Sequence, residues 1–195
     1  MYALFFEVRP KPGHLPHYFA HVERLRPALA RHEGLLFLDR YRSLSDDALL
    51  LSHQHWRDEA AILSWRRDSL HLQSQHAGRY EHFADYRIRV ASLVCQWVAG
   101  QFTDAAQNNC DALDAGRFLI VGYSQSTEVH APSYAGFESV NQAGRFISLQ
   151  EFPSCTLARK SVHDGSKLPG MQSVRAFRVV RDYGMFVRQE APFLI

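Results

Sequence analysis

Two side chains that could do chemistry stand close together in the segment 65–76. Trp65 ends a stretch in which Ala61, Ile62 and Trp65 recur at helical spacing, so its ring would face a covered sheet. His71 follows six residues later, and an imidazole can move a proton near neutral pH. The plainer alternatives are that Trp65 only fills the core and that His71 caps a helix or lies at the surface. The segment therefore predicts a candidate site with an aromatic wall and an acid–base group.

Charged residues in two apolar strand segments form a second set of candidates. Glu7 stands in the segment Tyr2–Val8, and an unpaired buried carboxylate would have a raised pKa and would be a candidate base. Arg87 and Arg89, on a later strand, could pair with Glu7. We also expect Arg87 to stabilise a developing phenolate, because fixed positive charge in a dry site is a large catalytic contribution. The alternative is that Glu7 lies at a wet strand end.

Histidines at two other places raise the question of a metal. His14, His17 and His21 form one stripe of a predicted helix, and His53 and His55 share one face of a predicted strand. Imidazoles at such spacings can share an ion. Neither an HExxH motif nor a His-His-carboxylate pattern accompanies them, so no metal is predicted. We keep His53 as a candidate ligand-binding residue.

Composition excludes several classes of function. The formal charge of +2 gives no strong field for nucleic acid or anionic lipid, and no apolar run approaches the roughly 20 residues that cross a bilayer. The three cysteines are far apart, which predicts neither a zinc knuckle nor a disulfide framework. There is no nucleotide-binding glycine motif and no hydrolase elbow. We expect a cytoplasmic protein without nucleic-acid or membrane partners.

The first half of the chain is predicted to form four strands and the helices between them. Strand and helix patterns alternate as β-α-β-β-α-β, which predicts a ferredoxin-like unit with helices on one sheet face and a bare second face. A bare apolar sheet needs a partner. The predicted segments are strands Tyr2–Val8, Leu35–Ser43, Ala48–Trp56 and Asp85–Trp97, helices 14–31 and Asp58–Trp65, and an irregular helical piece Ser69–Phe83.

An internal repeat supplies that partner. Residues 41–56 align with 137–152 without a gap, and serine and glutamine match at equivalent positions (Ser52 with Ser148, Gln54 with Gln150). The predicted fold is therefore α+β: two tandem ferredoxin-like half-domains packed sheet to sheet as a pseudo-dimer.

The second copy of the repeat is degraded. Too few residues separate its first two strands for a first helix, and its second helix shrinks to about 154–162. We divide the chain into 1–98, a domain that holds the pocket, 99–116, a linker, and 117–195, a degenerate repeat that serves as structural partner. The chain is predicted to be a monomer with an internal pseudo-dimer, or a homodimer.

Particular residues of the first half resemble the antibiotic biosynthesis monooxygenase (ABM) family. They are the strand and turn Tyr2–Gly13, the run Trp56 to Ala60, Trp65 followed by His71, Gln75, Gly78 and Arg79, and the closing segment 83–90. The resemblance covers 1–98 well and 117–192 in part. It implies that the two half-domains pair through their sheets into a pseudo-dimeric α+β barrel. Some members of the family oxidise aromatic polyketides with O₂ without metal or flavin, others bind haem and open its ring, and others have no known activity.

The resemblance implies three alternative functions. The first is a cofactor-independent monooxygenase that oxidises a small aromatic or quinone-type molecule, with Trp65, His71 and Arg87 as catalytic residues. The second is a haem-binding or haem-degrading monooxygenase, in which His71 or His76 is the ligand. The family's haem ligand stands ten residues after its tryptophan, however, and that position holds Gln75 here. The third is a non-catalytic binder of small ligands. Glu7, His53 and His76 are the ligand-binding candidates.

Overall fold

The chain alternates strands and helices in the predicted order. A computed structural model describes residues 1–105, 114–125 and 135–192. The first repeat contains strands β1 (Tyr2–Pro10), β2 (Leu35–Ser43), β3 (Leu50–Trp56) and β4 (Phe83–Val98), and helices α1 (Leu15–Ala30), α2 (Glu59–Arg66) and α3 (Ser69–Ala77). One turn of π-helix, Gly78–His82, joins α3 to β4. The second repeat contains β6 (Ala115–Ser124), β7 (Ala135–Ser139), β8 (Phe146–Ser154), α4 (Cys155–Gly165) and β9 (Met171–Gly184), and the short strand β5 (Gln101–Asp104) precedes it.

Short polar side chains start the helices that matter for the site. Asp58 accepts a hydrogen bond from the Ala61 amide at 2.8 Å, and Asp68 accepts one from the His71 amide at 2.9 Å. Each carboxylate satisfies an amide that the first helical turn leaves without a partner. The two caps fix where α2 and α3 begin, and so they fix the positions of Trp65 and His71.

The strands form one antiparallel sheet that closes on itself. Its order is β1-β3-β2-β7-β8-β6-β9-β4-β5, and β1 also pairs with β4. Each repeat contributes four strands, which meet the other repeat edge to edge where β2 pairs with β7 and β4 pairs with β9. The structure thus confirms the predicted α+β fold and shows how the repeats join.

Side chains that alternate along the strands divide the core into an inner and an outer part. The barrel interior holds an apolar cluster from both repeats, which includes Phe5, Tyr41, Leu51, Phe137 and Phe177. Tyr41 and Phe137, which the repeat alignment matches, lie in this same cluster. Outside the barrel, α1 and α2 cover the first repeat and α4 covers the second.

The second repeat carries only one described helix. The prediction that the first helix is missing falls on the segment between β6 and β7, of which residues 126–134 lie outside the described residues. Helix α4 extends to Gly165, further than expected. Part of the predicted linker 99–116 forms β5 and the start of β6, whereas 106–113 lie outside the described residues. Buried Cys155 is disulfide-bonded, and the cysteine spacing did not predict this bond.

Candidate functional site

A cavity of about 580 Å³ lies in the first repeat, between the outer face of the sheet and the helices α2 and α3. A volume of this size suits a small organic molecule. Its wall is mainly apolar and aromatic, with amides, imidazoles and guanidinium groups in between. The lining residues are Leu4, Phe6, Gln54, Ile62, Trp65, Arg66, His71, Leu72, Gln75, His76, Arg79, Tyr80, Phe83, Tyr86, Ile88, Tyr183 and Arg188.

Trp65 and His71 form a stacked pair in this wall. Their ring centroids lie 4.4 Å apart, and their planes differ by 16°. Trp65 is buried, with 4% of its surface exposed, and its indole packs in the cluster that joins α1 and α2 to the sheet. The pair gives the cavity a flat, rigid aromatic wall with a titratable ring on it.

The hydrogen bond of His71 decides which tautomer it adopts. Its Nδ1 lies 2.9 Å from the Trp65 carbonyl oxygen, which can only accept, so Nδ1 carries the proton. Burial lowers the pKa of His71 to about 4, although the Trp65 carbonyl and Asp68 act in the opposite direction. His71 is therefore neutral at pH 7, and Nε2 has a free lone pair that can take a proton.

Arginine–tyrosine contacts form another part of the wall. Arg66 Nη1 donates to the Tyr183 hydroxyl at 3.1 Å. Tyr86 Oη accepts hydrogen bonds from Arg79 Nη1 at 3.3 Å and from Arg188 Nη1 at 2.9 Å. Burial raises the pKa of Tyr183, an effect that the Arg66 charge partly offsets. Arg188 and Tyr183 bring the C-terminal part of the chain into a cavity that otherwise belongs to the first repeat.

Three of the six predicted site residues line this cavity, and three do not. Trp65, His71 and His76 are brought together on α2 and α3. Phe6, Gln54 and Ile88 line the cavity, and each is the neighbour in sequence of one of the other three candidates. Because successive side chains point to opposite sheet faces, Glu7, His53 and Arg87 lie on the barrel side. We therefore correct the expectation that Arg87 works beside Trp65, and the candidates Glu7 and His53 do not line this cavity either.

Glu7 and Arg87 belong to an ion-pair network on the barrel side. Glu7 pairs with Arg89, which is 5% exposed and also donates to Glu151 at 2.5 Å. Arg87 forms a bidentate pair with Asp182, with N–O distances of 3.0 and 2.7 Å. Asp182 holds the pKa of Arg87 above its ordinary value. These contacts join β1 and β4 of the first repeat to β8 and β9 of the second, and they give both residues a structural role.

His53 lies inside the barrel in a buried polar cluster with His55 and Tyr123. Its Nδ1 approaches the Leu4 carbonyl at 3.4 Å, which leaves Nε2 to accept from the Tyr123 hydroxyl at 2.7 Å. His55 Nε2 lies 2.9 Å from the same hydroxyl and can donate to it. Burial lowers the pKa of His53 well below its ordinary value and that of His55 to about 3, so both rings are neutral.

The histidine stripe of α1 meets a fourth histidine. His14 Nδ1 lies 3.1 Å from His82 Nδ1, and His17 stacks on His82 with centroids 4.7 Å apart. Within residues 1–105, 114–125 and 135–192, no group of three or more His, Cys, Asp and Glu side chains is placed to hold a metal ion.

Sequence reasoning missed the cationic part of the site. Arg66 directly follows Trp65, and Arg79 belongs to the segment that resembles the family, but neither carried a predicted role. Arg188 and Tyr183 come from the far end of the chain. Only the closure of the barrel brings β9 beside β4, so no local signal in the sequence could place them here.

The fold and the cavity define an α+β barrel of two fused ferredoxin-like repeats with a small-molecule pocket under the helices of the first repeat. Residues 1–78 match the model of the family "Antibiotic biosynthesis monooxygenase". A jasmonate monooxygenase of Pyricularia oryzae is 30% identical over 209 positions, which cover 98% of this chain and 97% of the relative. The chain belongs to the antibiotic biosynthesis monooxygenase family.

Two solved structures superpose on the chain at low identity. An aldoxime dehydratase in complex with butyraldoxime superposes with a TM-score of 0.54 and 7% identity, over 91% of this chain and 78% of that one. An anthrone oxidase-like protein superposes with a TM-score of 0.43 and 11% identity, over 98% of this chain and 96% of that one. Among the described residues, no helix is long and apolar enough to cross a membrane.

Proposed function

We propose that the chain is a cofactor-independent monooxygenase that oxidises a small aromatic or quinone-forming substrate with O₂ in the cavity of the first repeat. One observation carries the proposal: a neutral His71, with its Nδ1 proton bonded to the Trp65 carbonyl, lies in a largely apolar cavity. This chemistry needs a base that is unprotonated at neutral pH and a space of the size of the substrate, and the cavity has both.

The reaction balances without an external reductant. His71 Nε2 takes a proton from an acidic CH₂ flanked by aromatic rings, and the carbanion adds O₂ to form a C–O bond. The peroxide anion takes the proton back from His71, and loss of water from the hydroperoxide leaves a ketone. The CH₂ group and O₂ thus give C=O and H₂O, and the substrate supplies all the electrons. Trp65 packs against the substrate ring and orients it.

The family membership supports the monooxygenase part of this proposal, and the name of the Pyricularia oryzae relative agrees with it. The arginines of the cavity support the deprotonation step, because positive charge near a developing carbanion or enolate stabilises it. Arg66 is the nearest such group along the chain, since it follows Trp65 on α2. Arg66 would thus stabilise the developing negative charge, the role that the sequence had suggested for Arg87.

The test is oxygen uptake with anthrone as substrate, after dialysis against a chelator. We expect one O₂ consumed per anthrone, and a loss of about a hundredfold or more in kcat for His71→Ala, the usual contribution of a positioned base. Trp65→Phe keeps an aromatic wall and should lose less. His163→Ala, which removes an exposed histidine of α4, is the matched control and should keep full activity.

Haem binding is the outcome that would contradict the cofactor-free proposal most directly. Haemin titration followed by absorbance distinguishes the two. We expect no saturable Soret shift, and oxygen uptake that does not change when haemin is added. A shift that saturates near one equivalent and disappears in His71→Ala would assign His71 as a haem ligand instead of a base.

A further inference from the structure

The three arginines of the cavity differ from four arginines on the neighbouring strands β4, β6 and β9. Arg87, Arg89, Arg117 and Arg181 each pair with a carboxylate. Arg66, Arg79 and Arg188 form no ion pair within the described residues, and no acidic side chain lines the cavity there. All three are partly buried. Partly desolvated charges without a counter-ion are costly, so their presence around one cavity calls for an anion.

The hydrogen bonds of these arginines leave most of their donors free. A guanidinium has five N–H donors. Arg66 donates to Tyr183, and its Nε–H is buried without a partner among the described residues. Arg79 donates to the Tyr86 hydroxyl, and Arg188 donates to the same hydroxyl and makes a long contact with the Gly184 carbonyl at 3.5 Å.

The Tyr86 hydroxyl contacts the guanidinium groups of both Arg79 and Arg188. Because Arg79 and Arg188 both donate to its oxygen, the two guanidinium groups lie next to each other, where their charges repel. An anion between them would turn this repulsion into attraction. Tyr86 has two arginines on its oxygen, so its own hydroxyl proton remains for a further acceptor.

We propose that the ligand of this cavity is an apolar or aromatic molecule that carries a carboxylate, and that Arg79 and Arg188 bind this group together with the Tyr86 hydroxyl. A carboxylate matches the planar fork of arginine with two parallel hydrogen bonds, and the apolar rest of the wall takes the body of the molecule. The inference rests on the proposed function, because it names the substrate class of the same cavity.

The experiment compares two probes that differ in charge, anthracene-9-carboxylate and anthracene-9-methanol, by calorimetric titration of the full chain. We expect the carboxylate to bind at least about tenfold more tightly. Arg79→Gln and Arg188→Gln should each weaken the binding of the carboxylate by about 10- to 100-fold, which is the usual effect of losing a hydrogen bond to a charged group. Neither substitution should change the affinity for the alcohol. Arg188→Lys keeps the charge and should restore part of the preference.

Arg26→Gln is the control, because Arg26 lies exposed on α1 and does not line the cavity. Circular dichroism establishes that each variant is folded. Equal binding of the two probes, binding of neither, or a carboxylate preference that survives both substitutions would overturn the inference. Oxygen uptake distinguishes a failure of this inference from a failure of the proposed function. If the chain prefers the carboxylate but oxidises no substrate, this inference is supported and the proposed monooxygenase function is contradicted. If the chain oxidises anthrone but does not prefer the carboxylate, the proposed function is supported and this inference is contradicted.

Discussion

At the scale of residues, the protonation state of His71 follows from its surroundings. Burial disfavours the imidazolium and lowers the pKa to about 4, while the Trp65 carbonyl holds the proton on Nδ1. The group is therefore an unprotonated base over the whole neutral range, with its reactive nitrogen fixed by a neighbour on the preceding helix. An exposed histidine would lose half of its basic form near its ordinary pKa of 6.5.

This predicts the pH dependence of turnover. A base works only when it is unprotonated, so kcat/KM should stay flat from about pH 5.5 to about pH 8 and fall tenfold per unit below the His71 pKa of about 4. The measurement is a pH profile of kcat/KM for oxygen uptake, with circular dichroism at each pH as a control for folding. An acid limb centred near 6.5 would show that His71 is not the base or is not buried.

The residues also show what a sequence can and cannot reveal about a site. Trp65 and His71 could be predicted because they lie six positions apart on consecutive helices, so their proximity is local. The expectation that Arg87 reached the pocket was wrong because Ile88, its neighbour, takes the cavity face. Arg188 needed tertiary information, since β9 reaches the cavity only through its pairing with β4.

At the scale of elements, the cavity depends on how closely α2 approaches the sheet. A Cβ at Gly34, just before β2, would overlap the Cβ of Ala61 on α2. The Gly34 carbonyl also accepts a hydrogen bond from the Arg57 amide at 2.8 Å, immediately before that helix. Glycine at position 34 therefore lets α2 dock, and α2 carries both Trp65 and Arg66.

Gly34→Ala should push α2 outward and destabilise the chain. Overpacking of this kind costs about 1–3 kcal/mol of unfolding free energy, and the displaced helix should also weaken binding in the cavity. Urea unfolding measures the first effect, and titration with anthracene-9-carboxylate measures the second. Ser64→Ala, at an exposed position of α2, is the control and should stay within about 0.5 kcal/mol. Unchanged stability in Gly34→Ala would mean that α2 docks more loosely than it does here.

Element boundaries were the easier part of the prediction. The helix 14–31 is observed as Leu15–Ala30, because its apolar stripe of Tyr18, Val22, Leu25 and Leu29 continues past the proline at 27. The irregular piece after Ser69 separates into α3 and a π-helical turn. Neither the turn nor β5 could be predicted, since apolar periodicity does not distinguish a π-turn from an α-helix and β5 is an exposed strand of four residues.

At the scale of the whole molecule, the two repeats share a single barrel core. The edges β2 and β4 of the first repeat are covered by β7 and β9, and both repeats contribute to the interior cluster. The division of the chain into domains 1–98 and 117–195 stays a prediction, because strands of both parts belong to one continuous sheet. The internal repeat predicted that the bare sheet has its partner in the same chain, and the family resemblance implied that the two sheets close into a barrel.

We expect residues 1–98 alone to associate. Without the second repeat, Phe5, Tyr41 and Leu51 would face water, and two strand edges would be open. Light scattering after size exclusion should find this fragment as a dimer or aggregate and the full chain as a monomer. A folded, monomeric fragment would contradict the shared core, and a tight dimer of the full chain would mean that further surface is paired between chains.

The most direct test of the central claim is to fill the cavity and measure oxygen uptake with anthrone. Leu72→Trp places a bulky ring among the lining residues, while Leu157→Trp makes the same change at an exposed position of α4 in the second repeat. We predict that Leu72→Trp abolishes oxygen uptake, with unchanged circular dichroism, and that Leu157→Trp matches the unmodified chain. Uptake that is equally fast in both variants would contradict the claim that the substrate is oxidised in the cavity of the first repeat.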